Sequence, residues 1–140
     1  MSFLLDTNVL SEPTKPRPNP GVLDWLSAAD EDRLFVSAAS LAELHLGVAR
    51  LPSGKRRLRL SEWLVEELAE RFRGRILPID EQVAAEWGRI VAQESLAGRV
   101  VGAMDAFIAA TAQAHELTLV THNLRDFEQI LPRIVNPWSG

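Results

Sequence analysis

The chain lacks cysteine and long apolar runs, and each absence excludes a class of protein. With no cysteine among its 140 residues it has neither disulfides nor thiolate metal sites, a composition typical of the cytoplasm. No apolar stretch approaches the ~18 residues that span a bilayer, and no basic segment precedes an apolar one as in a secretory signal. We therefore expect a cytoplasmic protein that does not enter a membrane.

Several catalytic motifs with fixed spacing are also missing. The sequence has no H-x-x-H or H-E-x-x-H zinc pattern, no Walker A lysine loop, no G-x-G-x-x-G and no G-x-S-x-G. Of the three histidines only His122 is retained as a candidate substrate contact. The four tryptophans are predicted to pack in the core or at an interface rather than to stack on bases.

Positive charge is scarce overall but locally concentrated. The net charge of −4 argues against a broad nucleic-acid-binding surface. Two basic groups stand out, one made of Lys55, Arg56, Arg57 and Arg59 and the other of Arg71, Arg73 and Arg75. Each group is either a solvated helix face or a set of phosphate contacts beside an acidic site.

What is present predicts one globular α/β domain over residues 1–140. Apolar residues make up 46% of the chain and charged residues 24%, which is ordinary for such a domain. Apolar runs alternate with helical patterns, and this order predicts a parallel sheet of four to five strands that helices cover on both faces. The predicted strands are 3–5, 34–36, 75–78, 117–121 and 134–135. One predicted helix begins at Pro20, and four others cover residues 40–50, 56–72, 81–97 and 103–115.

The first acidic residue of interest, Asp6, follows the first predicted strand. Open α/β sheets bind their ligands at this edge, although Asp is also common at turns. Thr7 and Asn8 beside it supply a hydroxyl and an amide that can orient a carboxylate or a water molecule. They favour a ligand-binding role for Asp6.

Two further acids lie early in predicted helices, and each has a structural alternative. Ser40 and Glu43 match the S-x-x-E capping box, unless the helix begins near Ser37 and leaves Glu43 in its second turn. Asp105 lies in a first turn, where the helix dipole favours an anion. Small residues after Asp105 would let its helix pack closely on the sheet and direct the carboxylate inward.

Asn123 and Asp126 follow the fourth predicted strand. This loop is either an ordinary polar turn or a second contribution to the ligand-binding edge. Taken together, the acids supply hard oxygen ligands without cysteine or histidine, and this set favours Mg²⁺ or Mn²⁺. Such an ion would indicate phosphoester chemistry.

Four segments resemble, in order, the motifs of PIN-domain proteins. The segments are FLLDTNVLSE, VSAASLAELHLGV, MDAFIAATA and LVTHNLRDF, and together they extend over nearly the whole chain. The chain is most similar to VapC-type toxins of bacterial toxin–antitoxin pairs, including the FitB-like branch. DTNVLSEP and the ending Val135-Asn136-Pro137-Trp138 carry the likeness to that branch.

The resemblance implies a three-layer α/β/α sandwich and Mg²⁺- or Mn²⁺-dependent hydrolysis of RNA, usually single-stranded or in a tRNA loop. It implies a homodimer that a small antitoxin neutralises, with DNA contacted only through that antitoxin. Asp6, Glu43 and Asp105 match the family's first three acids and would ligate the metal. Asn123 occupies the fourth position, and Asp126 is a candidate for the missing carboxylate.

Around these catalytic candidates, Thr7, Asn8, Ser40 and Thr121 would orient ligands and waters. One alternative function is a catalytically weak PIN domain in an antitoxin-dependent, DNA-binding regulatory complex, which Asn123 keeps open. Another is a phosphatase of the haloacid dehalogenase type. That chemistry needs a second acid two residues after the first, where this chain has Asn8.

Overall fold

Five short parallel strands form one sheet in the computed structural model, which describes residues 1–139; Gly140, the last residue of the predicted domain, lies outside them. The strands are β1 Phe3–Leu5, β2 Leu34–Ser37, β3 Ile76–Leu77, β4 Thr118–Val120 and β5 Ile134–Val135. Their order is β3-β2-β1-β4-β5, and each neighbouring pair is parallel. The predicted parallel sheet is confirmed.

Helices connect consecutive strands, as parallel pairing requires. Within residues 1–139 they are α1 Thr7–Ser11, α2 Pro20–Ala28, α3 Ala38–Ala49, α4 Lys55–Glu62, α5 Ala69–Arg71, α6 Glu81–Leu96, α7 Ala103–Ala114 and α8 Leu124–Phe127. Residues 12–14 and 31–33 form single 3₁₀ turns. None of the helices in this part of the chain is long and apolar enough to cross a membrane.

Side-chain caps explain where several helices begin. Asn19 accepts hydrogen bonds from the backbone N–H groups of Gly21 (3.0 Å) and Val22 (3.4 Å), and Pro20 opens α2. Asp80 accepts one from the N–H of Val83 (3.0 Å) at the start of α6. Each cap satisfies donors that the first helical turn leaves free. Both caps are as predicted from the sequence.

Some elements differ from the prediction. The predicted helix over 56–72 is divided into α4, a π-helical segment Trp63–Leu68 and α5. The loop after β4 contains the short helix α8, and residues directly after β1 form α1. Such short helices carry too few residues for a periodic apolar pattern to reveal them.

The sheet has a separate apolar core on each face, which makes the predicted three layers. Leu4 and Leu119 pack on one face with residues of α6, α7 and α8. Leu5 and Val120 pack on the other face with residues of α1, α2 and α3, of the π-helical segment and with Phe72. Successive strand residues point to opposite faces, so the continuous apolar strands fill both cores.

The strand order places a reversal of winding between β1 and β4. From β1 the chain proceeds to β2 and β3 on one side, and β4 and β5 are added on the other side. Helices on the two sides diverge there and leave a crevice at the carboxyl ends of the central strands, where open α/β sheets bind ligands. Asp6 and Thr121 are the first residues after these two strands.

Candidate active site

Asp6 is the most enclosed acid of the site, with 3% of its surface exposed. One carboxylate oxygen accepts the backbone N–H of Thr7 (2.7 Å) and caps α1. The other accepts the hydroxyl of Thr121 (2.7 Å) and the side-chain amide of Asn8 (3.3 Å). Burial raises the pKa of Asp6, and the charge of Glu43 adds to the rise, while the hydrogen bonds oppose it. Asp6 is thus both a turn cap and a member of the site.

Glu43 is held beside Asp6 by Thr7. The hydroxyl of Thr7 donates to a carboxylate oxygen of Glu43 at 2.6 Å. Helix α3 is capped by Ser37, whose hydroxyl accepts the N–H of Ala39 (3.0 Å). The capping-box interpretation of Ser40 and Glu43 is therefore wrong, because the helix has already begun before Ser40. Glu43 lies in the second turn and its carboxylate is available to the site.

Asp105 lies in the first turn of α7, partly buried beside the sheet edge. Burial raises its pKa to about 6, helped by the negative charges of Asp6, Asp126 and Glu43. Asp105 is therefore repelled by the other three carboxylates. Residues Ala106, Ile108 and Ala109 are fully buried, as expected for a helix packed closely on the sheet.

The loop after β4 contributes through both of its candidate residues. The backbone N–H of Asn123 donates to the hydroxyl of Thr121 (3.0 Å), the group that also binds Asp6. Asp126 and Asp105 line one small cleft of about 130 Å³, together with Arg125. The negative charge of Asp126 thus acts on Asp105. The backbone of Asn123 is linked to Asp6 by hydrogen bonds through the hydroxyl of Thr121.

Of the four residues expected to orient ligands, three contact the acids directly. Thr7, Asn8 and Thr121 each donate a side-chain hydrogen bond to Asp6 or Glu43. Ser40 is fully buried, but within residues 1–139 its hydroxyl has no hydrogen-bond partner. The structure joins the first three to the site and leaves Ser40 apart from it.

The chemistry of the donors fits a divalent cation. Among the described residues, no lysine, arginine or histidine forms an ion pair with Asp6, Glu43, Asp105 or Asp126. Confined carboxylates without a cationic partner favour binding of a metal ion, and all donors here are oxygen. No three or more His, Asp or Glu side chains of residues 1–139 are close enough to hold an ion by themselves. An ion would also need water or amide and hydroxyl oxygens, which Mg²⁺ accepts.

The two basic groups have different surroundings. Arg71 and Arg75 form ion pairs with Glu31, and Arg73 pairs with Glu70. Arg71 and Arg75 also stack on Phe72 at 4.7 and 5.0 Å. This second group is therefore structural, and its phosphate-binding alternative is not supported.

One residue of the first basic group lies at a groove that reaches Glu43. Over residues 1–139, Lys55, Arg56, Arg57 and Arg59 make no ion pair. Arg56 lines a largely apolar groove of about 320 Å³ together with Thr7, Glu43 and Trp63. The positive side chain of Arg56 and the carboxylate of Glu43 thus line the same groove.

The C-terminal tail was missed as part of this region. Trp138 stacks on the imidazole of His122, with ring centroids 4.3 Å apart and planes inclined by 11°. One face of His122, the candidate substrate contact, is therefore covered by the chain itself. The only sequence signal was the segment that ends in Trp138, and it indicated a family resemblance rather than a contact with His122.

Known proteins resemble the chain over most of its length. A family model described as PIN domain matches residues 3–130. The chain is 43% identical to Toxin FitB of Neisseria gonorrhoeae over 97% of its own length and 98% of that protein. It is 39% identical to VapC ribonuclease Y4jK of Sinorhizobium fredii, covering 98% of each protein. A solved structure of FitAB bound to an IR36 DNA fragment contains a chain that is 40% identical, with a TM-score of 0.91 and coverage of 99% and 96%.

Proposed function

The chain belongs to the PIN-domain family, and on this premise we propose that it is the ribonuclease toxin of a toxin–antitoxin pair that uses Mg²⁺ or Mn²⁺ to hydrolyse RNA. The observation that carries the proposal is the pairing of Asp6 with Glu43 through Thr7, and of Asp105 with Asp126 in one cleft, at the carboxyl ends of β1 and β4. Relatives at 43% and 39% identity are named a toxin and a ribonuclease. The aspartyl-phosphate chemistry of a phosphatase lacks support, since Asn8 hydrogen-bonds Asp6 where that chemistry needs an acid.

In this proposal Asp6 and Asp105 would hold the metal directly, and Glu43 would hold it directly or through water. A bound Mg²⁺ or Mn²⁺ would lower the pKa of a water molecule and stabilise negative charge on a phosphoryl oxygen. Thr121 and Asn8 hold the Asp6 carboxylate in one orientation. Thr7 holds Glu43 within the same space, where it can accept a proton from an attacking water.

Asn123 and Asp126 share the fourth acidic position in different ways. Asn123 can supply an amide oxygen without charge, whereas Asp126 adds a negative charge near Asp105. We assign the completing carboxylate to Asp126, since the two acids line the same cleft. This assignment favours an active nuclease over a catalytically weak regulatory domain.

The partners follow from the same family. We propose that a small antitoxin neutralises the chain and that DNA is bound only through this antitoxin, since the net charge is −4 and one of the two basic groups is engaged in ion pairs. One solved relative is FitAB bound to a DNA fragment. The homodimer stays a prediction.

The proposed function is tested by adding the purified chain to total RNA with Mg²⁺, with Mn²⁺ or with EDTA. Cleavage is expected with either ion and not with EDTA. Expression of the chain is expected to arrest growth, and co-expression of the small protein encoded by the adjacent gene is expected to relieve the arrest. RNA that stays intact with both metals would exclude the nuclease assignment.

Arg56 is predicted to bind a phosphate of the RNA strand beside the cleavage site. Arg56→Ala is expected to raise KM about tenfold with little change in kcat, because a hydrogen bond to a charged group contributes about 1.5 kcal/mol. The slope of log KM against log salt is expected to fall by about one. Steady-state cleavage of a fluorescent oligonucleotide at several salt concentrations measures both.

Arg57→Ala is the matched control, because Arg57 is the neighbouring residue on α4 and does not line the groove. Its KM and salt slope are expected to stay close to those of the unaltered chain. Equal effects of the two substitutions would show that the helix attracts RNA only through its general charge, and the specific role of Arg56 would be abandoned.

A further inference from the structure

The C-terminal tail is fastened to the start of α2 by a dense set of hydrogen bonds. The side-chain amide of Asn19 donates to the carbonyl of Ser139 (2.9 Å), and its oxygen accepts the N–H (3.1 Å) and hydroxyl (3.2 Å) of Ser139. The N–H of Gly21 donates to the hydroxyl of Ser139 at 3.1 Å. We call this arrangement of Asn19, Gly21 and Ser139 the tail clasp.

The clasp depends on the absence of a side chain at Gly21. A Cβ placed there would lie 2.5 Å from the carbonyl oxygen of Pro137 and 2.8 Å from atoms of Ser139. These contacts are too short for any alanine to make without moving the tail. An apparently ordinary helical glycine is therefore a requirement for docking the C-terminus.

The clasp sets Trp138 against the loop that follows β4. Trp138 also receives local order from an Asx turn, in which its N–H donates to the side chain of Asn136 at 3.0 Å. Its indole stacks on His122. The tail therefore restrains the imidazole of His122.

His122 in turn connects to Asp6 through Asn8. The backbone N–H of His122 donates to the side-chain oxygen of Asn8 at 3.2 Å, and the side-chain NH₂ of Asn8 donates to Asp6 at 3.3 Å. An amide whose oxygen is engaged has its NH₂ group turned the other way, so the first bond orients the second. Stacking on His122 thereby limits the orientations open to the Asp6 carboxylate.

We propose that Trp138 is a positioning residue for the RNA-cleaving site, which it orders through His122 and Asn8 while the tail clasp holds it in place. The inference rests on the proposed function, since it concerns the efficiency of that site. Groups that orient ligands in this way contribute about 10-fold to 100-fold to activity. Trp138 itself touches neither the carboxylates nor the space between them.

The test compares Trp138→Leu, which keeps an apolar side chain without an aromatic face, with Trp138→Phe, which keeps the face. Trp138→Leu is expected to lower kcat about tenfold, with a KM within about twofold of that of the unaltered chain. Trp138→Phe is expected to retain most of the kcat of the unaltered chain. Hydrogen exchange of the His122 and Asn123 amides, measured without RNA or metal, is expected to accelerate in Trp138→Leu. Equal kcat in the Leu variant and the unaltered chain, or equal losses in the Leu and Phe variants, would overturn the proposal.

Gly21→Ala tests the same link without altering an aromatic residue. It is expected to lower kcat as Trp138→Leu does. The kcat of the double variant Gly21→Ala/Trp138→Leu is expected to be no lower than that of either single variant, since both substitutions remove the same contact of the tail with His122. Gly88→Ala is the control. Gly88 lies in another helix, α6, and a Cβ placed there would meet no atom within 4 Å. An additive double variant would contradict the proposal. If the unaltered chain fails to cleave RNA, the proposed function fails, while the exchange experiment still decides whether Trp138 orders the loop.

Discussion

Asp6→Asn is expected to lower the rate of RNA cleavage about a thousandfold while the chain remains folded. The substitution removes the negative charge at the most enclosed corner of the site and so weakens the binding of a cation. Asparagine is also a good helix N-cap, so the contact with the N–H of Thr7 can persist. The free energy of unfolding is expected to change by no more than about 1 kcal/mol, because the lost hydrogen bonds are offset by removal of a buried charge.

Single-turnover cleavage measures the rate, and chemical denaturation measures the stability. Asp24→Asn is the matched control, since Asp24 is exposed on α2 and has no contact with the site. This control is expected to cleave RNA at the unaltered rate. Full cleavage by Asp6→Asn would remove Asp6 from the catalytic residues and with it the main support for a metal site in the crevice.

Asp105→Asn is expected to stabilise the chain at neutral pH by about 1–2 kcal/mol in the presence of EDTA, after allowance for solvent screening at a partly exposed carboxyl. The pKa of Asp105 is raised from 3.8 to about 6 in the folded chain, so folding favours the protonated form. Its unfavourable contribution is small below about pH 4, grows as pH rises from about 4 to about 6, and is constant at higher pH, where Asp105 is ionised in both states. Asparagine removes this penalty.

Denaturation of both proteins from pH 4 to pH 8 isolates the effect of Asp105 as a difference. Other groups, such as Glu12 with its pKa lowered by Lys15, contribute equally to both and cancel. Mn²⁺ is expected to stabilise the unaltered chain more at pH 7.5 than at pH 5, and to stabilise Asp105→Asn less. Parallel stability curves for the two proteins would show that Asp105 does not share a charged space with the other acids.

Local sequence signals predicted most of the fold. Apolar runs bounded by polar residues placed all five strands, and Asn19 and Asp80 marked two helix starts through caps that need only adjacent residues. The four-residue helix α8 and the π-helical segment 63–68 escaped, because short segments have no distinctive period. The capping box at Ser40 failed because a second candidate cap lies three residues earlier, and the helix begins at that residue, Ser37.

The sequence by itself determined the α/β class, the set of oxygen donors and the family to which the chain belongs, because each follows from residue type and short-range spacing. Only the tertiary structure decided which acids meet, since the order of strands brings Asp6 beside Thr121 across 115 positions of sequence. It also decided that one basic group pairs with acids, while Arg56 of the other group lines the groove. The contact of Trp138 with His122 was likewise decided only by the tertiary structure. Such contacts form only when separate elements pack, and no local pattern encodes them.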